Sequence, residues 1–203
     1  MTVKQFFKSK TFKCIVVLLS ILLVCGIFLT VMYGFFEVTA EERFKRAVEK
    51  IYGKEVATEE IDIGNYKTKY QYSEVLQTYK VLDDGNYLLN VTGKEGFGGS
   101  VTCWVVVEMS EDGSAIEGIM KIVIDKAPGE SYISKISQSH LDQLAKKAKY
   151  GEELAGGFIH NSTTKHDADD YIKTGASYSM RAISNAVNGA MYFVAEYIGG
   201  NAQ

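Results

Sequence analysis

One uncharged apolar run near the start of this 203-residue chain constrains everything after it. Cys14 to Phe36 (CIVVLLSILLVCGIFLTVMYGFF) is 23 residues without a charged side chain. A helix needs about 20 apolar residues to cross the hydrocarbon core of a bilayer. The run is therefore predicted to be a single transmembrane helix that tethers whatever folds behind it. Every charge before it is basic (Lys4, Lys8, Lys10 and Lys13), and Glu37, Glu41 and Glu42 follow. Cytoplasmic flanks carry the excess of Lys and Arg. Residues 1–13 are then a cytoplasmic tail, and the remainder lies outside the cytoplasm, anchored at the cell membrane. A cleaved signal peptide would use Val38-Thr39-Ala40, but signal cores run to about 7–15 residues and this one is longer. A lipoprotein site at Cys25 would place bulky Val24 where a small residue is needed. The uncleaved anchor is the favoured expectation.

Behind the anchor, Glu37 to Gln203 is enough chain for one domain with a sizeable core. Four of the 22 Lys and Arg precede the apolar run, so the remaining 18 face 25 Asp and Glu, a net of −7. A domain this acidic is a poor partner for nucleic acid, whose phosphates demand clustered cations. Two of the three cysteines, Cys14 and Cys25, lie in the apolar run, which leaves Cys103 alone. An intramolecular disulfide in the soluble part is excluded, and no Cys/His spacing fits zinc or an iron–sulfur centre. His166-Asp167-Ala168-Asp169-Asp170 is acidic, but it lacks the glycine and distant glutamate of a calcium loop.

Periodicity divides the soluble chain. Residues 37–60 are predicted as a juxtamembrane helix or stalk, with Phe44, Ala47, Val48 and Ile51 on one face. From Ile61 the pattern shifts to strands: Tyr66–Tyr72, Glu74–Leu82, Tyr87–Thr92, Val101–Glu108 and Ile116–Ile124. Asp83-Asp84-Gly85-Asn86 and Glu111-Asp112-Gly113-Ser114 supply turn residues that tolerate positive φ. Ser131–Lys149 turns helical, with His140 as a rim residue, and Tyr150–Asp170 reads as loop. Ser177–Ile198 is a second helix, with Ile183, Ala186, Val187, Ala190, Met191, Val194 and Tyr197 as its apolar stripe. The predicted class is α+β: one transmembrane helix, then a mainly antiparallel sheet packed with helices.

The chemistry concentrates just before that last helix, at Thr174-Gly175-Ala176-Ser177-Tyr178-Ser179. Gly175 permits a tight turn, and Ser177 or Ser179 can cap the helix. The orphan N–H groups and dipole of a helix N-terminus favour an anion such as phosphate. A hydroxyl placed there could bear a phosphoester, with Arg181 one turn along to face the same phosphate. On physical grounds alone an ordinary N-cap is the stronger reading of Ser177.

Thr174-Gly175-Ala176-Ser177, with the run through Val187, closely resembles the flavinylation motif [S/T]-G-A-[T/S] of the FMN-binding domain family. That family includes the G subunit of the Rnf complex and the C subunit of the sodium-pumping NADH:quinone reductase. Gly96-Phe97-Gly98-Gly99 is similar to its glycine–aromatic–glycine loop, and Ala127-Pro128-Gly129 to its E-T-P-G turn. The resemblance implies that residues 61–203 are an FMN-binding domain. Ser177 would be joined to the FMN phosphate by a flavin transferase, while Gly96, Phe97, Gly98, Pro128 and Gly129 form turns near the ring. It further implies an electron carrier working with other membrane redox subunits, a redox subunit rather than a complete enzyme. The Rnf-type assembly moves electrons between ferredoxin and NAD coupled to ion translocation. A stand-alone extracellular flavoprotein and an unflavinylated anchored binding module are the alternatives. The chain departs from the pattern in three places. The acceptor is Ser where Thr is usual, Tyr171 stands where the family places Asp, and Lys126-Ala127 replaces the Glu-Thr before Pro128. Lys126 is thereby expected near the flavin ring, where a cation would stabilise reduced, anionic flavin.

Overall fold

The computed structural model describes residues 10–36, 39–148 and 175–200. The chain divides into two compact units, Met1–Arg43 and Phe44–Gln203.

In the first unit, helix α1 runs from Lys10 to Phe36. Its stretch Phe12–Met32 is long and apolar enough to cross a membrane, and none of it is buried in protein. The hydroxyls of Ser20 and Thr30 donate back to the carbonyls of Val16 and Gly26, each at 2.8 Å. Both polar groups are thus satisfied within the helix, which a hydrocarbon surround requires.

The second unit is built on a five-stranded antiparallel meander in the order β1-β2-β3-β4-β5. The strands are β1 (Thr58–Glu60), β2 (Ser73–Val81), β3 (Tyr87–Gly93), β4 (Val101–Met109) and β5 (Ile116–Lys126). Turn chemistry sets the register. At the β2–β3 connection Gly85 takes φ +74°, Asp84 accepts from the Asn86 amide, and Lys80 pairs with Tyr87. Gly113 takes φ +69° between β4 and β5. Helix α2 spans Ala40–Tyr52, α3 Gln138–Lys147 and α4 Ser177–Ile198, with a 3-10 turn at Ile133–Lys135. Ser137 and His140 form a capping box at the start of α3, which gives His140 a structural role.

Both faces of the sheet are covered. Along β4 the side chains alternate: Val101, Cys103, Val105 and Val107 enter one core, while Trp104 and Val106 enter the other. The first core is closed by α4, whose Ala182, Ile183, Ala186, Val187, Ala190 and Phe193 are fully buried. Each large apolar side chain removed from water here contributes about 1.5–3 kcal/mol. The second core is closed by α2 from Phe44 onward, through Ala47 and Val48 with Phe44 packed beside them. The Phe44 ring lies 4.4 Å from Tyr79 and 5.6 Å from Trp104.

Of the juxtamembrane helix or stalk expected over residues 37–60, the helix is present as α2. From Phe44 the segment belongs to the domain, because its apolar face fills the second core instead of standing in water. Tyr66–Tyr72 forms no paired strand beyond a single bridge, Lys69 to Glu74. Its aromatics cover α4 instead. Tyr66 packs on Phe193 and Tyr197, and the Tyr70 hydroxyl donates to Glu196 at 3.1 Å. The predicted loop Tyr150–Asp170, with its acidic run at His166–Asp170, lies outside the described residues.

Candidate functional site

Three segments distant in sequence meet at the N-terminal end of α4. The first is the β3–β4 connection, Lys94–Ser100. The second is the turn after β5, Ala127–Lys135. The third is Gly175 with the first turn of α4. Ala127-Pro128-Gly129 carries the chain off the end of β5, with Gly129 at φ +81° and the Glu130 amide bonding back to the Ala127 carbonyl. Gly98 and Gly99 press directly on this turn. A Cβ on Gly98 would lie 2.1 Å from the Gly129 carbonyl oxygen, and one on Gly99 2.4 Å from that of Pro128. Only glycine permits two backbones to approach so closely. The close approach that these glycines allow is therefore between the two loops.

A buried carboxylate joins all three segments. Glu130 is 4 % exposed. Its Oε1 accepts the Gly98 amide at 2.7 Å and the Gly99 amide at 2.9 Å. Its Oε2 accepts the hydroxyl of Ser179, itself fully buried in the first turn of α4. A carboxylate out of water needs such donors to be tolerated at all.

Ser177 differs from Ser179 in its exposure. It is the first residue of α4 and is exposed. The N-cap is Ala176, with no side-chain cap, so the capping role open to Ser177 or Ser179 falls to neither. Gly175 precedes it at φ +70°, and Ala176 is buried in the core. First-turn N–H groups of a helix have no partner inside it, so this end presents donors beside the Ser177 hydroxyl. Thr174, the first residue of the motif, lies outside the described residues.

Tyr178, which follows Ser177 in the chain, belongs to a set of exposed rings. Phe97 is 59 % exposed, Tyr178 52 % and Tyr132 40 %. The Phe97 centroid lies 5.1 Å from that of Tyr132 and 6.2 Å from that of Tyr178. Two cations flank them: Lys135 Nζ lies 4.6 Å from the Tyr132 centroid, and the Arg181 guanidinium 4.6 Å from that of Tyr178. Lys135 also runs its stem beside Gly175. Arg181 donates to the Glu95 carbonyl at 3.3 Å and pairs with the Glu95 carboxylate at 3.9 Å. Glu95 itself sits at φ +67°, a left-handed conformation costly for a residue with a Cβ.

The structure thus brings together Gly96, Phe97, Gly98, Pro128, Gly129, Gly175, Ala176, Ser177 and Arg181. Ser179, read from the sequence as a possible cap, joins them, as do Glu130, Tyr132 and Lys135, which no motif had marked. Lys126 is exposed at the end of β5, and Lys135 is the lysine that meets the rings. Cys103 is buried, and burial together with the nearby Asp125 carboxylate pushes its thiol well above the usual range, away from reactive thiolate.

Fold and site together define an α+β domain behind an apolar, membrane-length helix, with one aromatic, cation-flanked surface at the start of its last helix. No protein-family model matches the chain, and no curated protein or solved structure matches it.

Proposed function

We propose that this chain is a membrane-anchored electron carrier holding FMN through a phosphoester to Ser177, with its domain outside the cytoplasm. The observation that carries the reading is the state of the Ser177 hydroxyl. It is exposed at the N-terminus of a 22-residue helix, caps nothing, and directly precedes Tyr178, whose exposed ring neighbours that of Phe97. The residues suit the group. Helix N–H donors favour a phosphate, and aromatic faces suit a planar ring system. Lys135 and Arg181 offset negative charge. Attachment would proceed by attack of Ser177 Oγ on the flavin-side phosphorus of a flavin dinucleotide. The bond to the second phosphate breaks, the nucleoside monophosphate leaves, and the serine proton passes to solvent. A flavin transferase would catalyse this step. The bound flavin would supply the electron transfer, while the chain supplies attachment, orientation and charge.

The resemblance at Thr174–Val187 favours an Rnf-type G subunit of an ion-translocating ferredoxin:NAD oxidoreductase, working beside other membrane redox subunits. A stand-alone extracellular electron-transfer flavoprotein is the nearest alternative. The exposed rings also support a second reading, an unflavinylated anchored module that binds a partner through Phe97, Tyr132 and Tyr178. Intact mass of the protein from its native host separates them. A gain of FMN less one water, absent from Ser177→Ala, supports the flavoprotein. A bare mass in both, with a competent transferase present, supports the binding module.

A further inference from the structure

The geometry points to Glu130 as the positioning residue of this site, the group that holds the Ser177 helix end and the ring-bearing loop in one arrangement. The inference rests on reading Ser177 as the attachment point.

Other bonds hold each of the three segments, such as Lys94 N–H to the Tyr72 carbonyl and Asn185 Nδ2 to the Lys94 carbonyl, but Glu130 is the side chain that bonds to both of the other two. The 94–100 connection crosses from β3 to β4 and carries the left-handed Glu95. Its Gly98 and Gly99 amides face inward and have Glu130 Oε1 as their acceptor. The first turn of α4 has no side-chain cap, and Ser179 is the residue there that reaches across, to Glu130 Oε2. Both oxygens of one carboxylate are thereby committed, one to each neighbour. Phe97 lies next to Gly98, and Ser177 and Tyr178 immediately precede Ser179, so the carboxylate fixes the side chains that form the exposed surface. Gly96 is matched to the same group: a Cβ there would lie 2.2 Å from Glu130 Oε1. A charged acceptor suits the role, because bonds to an ionised group are stronger and more directional than neutral ones. Glu130 bonds to Gly98, Gly99 and Ser179, and acts through them.

The test uses the full chain in detergent, with amide hydrogen exchange and intact mass read on the same samples. In Glu130→Ala the Gly98 and Gly99 amides and the Met180 amide, which is bonded to the Ala176 carbonyl, should exchange about tenfold faster or more, while those of β3 and β4 stay protected. The flavinylated fraction after co-expression with the transferase should fall in parallel. Glu130→Gln keeps an acceptor for the two amides and a partner for Ser179, and should recover most of both. Ser179→Ala removes one arm: exchange should rise at the Met180 amide and stay slow at Gly98 and Gly99. The inference is overturned if Glu130→Ala leaves those amides as slow as in the wild type. It is equally overturned if that variant is flavinylated at the wild-type rate. A wild type that carries no flavin defeats the attachment reading instead, and the exchange pattern then decides on the clamp by itself.

Discussion

The backbone of Gly93 lies directly against that of Ala182: a Cβ on Gly93 would stand 1.8 Å from the Ala182 carbonyl oxygen and 2.7 Å from the Ala186 amide nitrogen. The end of β3 and the second turn of α4 are thus packed with no side chain between them. This contact sets how deeply α4 sits on the sheet, and with it where the first turn of α4 meets the two loops.

Gly93→Ala is accordingly expected to be among the most costly single substitutions in the domain. The intruding carbon meets backbone, which cannot rotate away, so α4 must lift from β3. The expected loss is about 1–3 kcal/mol or more, the range for overpacking a closed site. Gly113→Ala is the control, since open space surrounds that position and only its φ of +69° opposes a side chain. That change should cost about 1 kcal/mol. Thermal unfolding of the two variants in detergent, followed by circular dichroism, gives the ranking; equal losses would contradict the packing argument.

Asp112 provides a pH-dependent local contact. The hydroxyls of Ser110 and Ser114 and the Ser114 amide all donate to it, and they hold its carboxyl at about 2. The folded value lies below the unfolded one of about 3.9. The contribution of this turn is therefore fully present above about pH 4 and is lost as pH falls through about 2. Carbon-detected NMR titration should place the Asp112 midpoint near 2. Replacing both serines by alanine should move it up toward the ordinary value. An unchanged midpoint in the double variant would contradict the assignment of cause.

Much of this architecture was legible from sequence because its determinants are local. The helix read over Ser177–Ile198 has those bounds in the structure, since its apolar residues repeat at helical spacing over many turns. The Asp83–Asn86 and Glu111–Ser114 turns carry glycine where φ is positive. The failures have long-range causes. Phe44, Ala47, Val48 and Ile51 were recognisable as a stripe, but what the stripe covers depends on the far face of β4. The unbroken apolar run from Cys103 to Val107 was the available signal that this strand is buried on both sides. The alternation in Tyr66–Tyr72 arises from rings laid on α4, which strand periodicity imitates. Glu130 was invisible, because one acid after a Pro-Gly turn says nothing until Gly98, Gly99 and Ser179 surround it.

The same long-range closure brings a further lysine, Lys135, to the rings. Sequence order placed Lys126 near a flavin; the cations against the rings are Lys135 at Tyr132 and Arg181 at Tyr178. In the flavinylated protein, Lys135→Glu is expected to lower the flavin midpoint by on the order of 30 mV, the shift of a two-electron couple for about 1.4 kcal/mol. Lys126→Glu should shift it less. Redox titration of both variants checks this, and a larger shift from Lys126→Glu would contradict the site's geometry.

The central claim is that the Ser177 hydroxyl is kept for chemistry and not for folding. Intact mass spectrometry of wild type and Ser177→Ala, purified from a host with a competent flavin transferase, tests it most directly. The account predicts a gain of FMN less one water on the wild type, the bare mass for the variant, and, when both are made without the transferase, the same unfolding midpoint, since this hydroxyl caps nothing. A bare wild type, or flavin retained on Ser177→Ala, would contradict it.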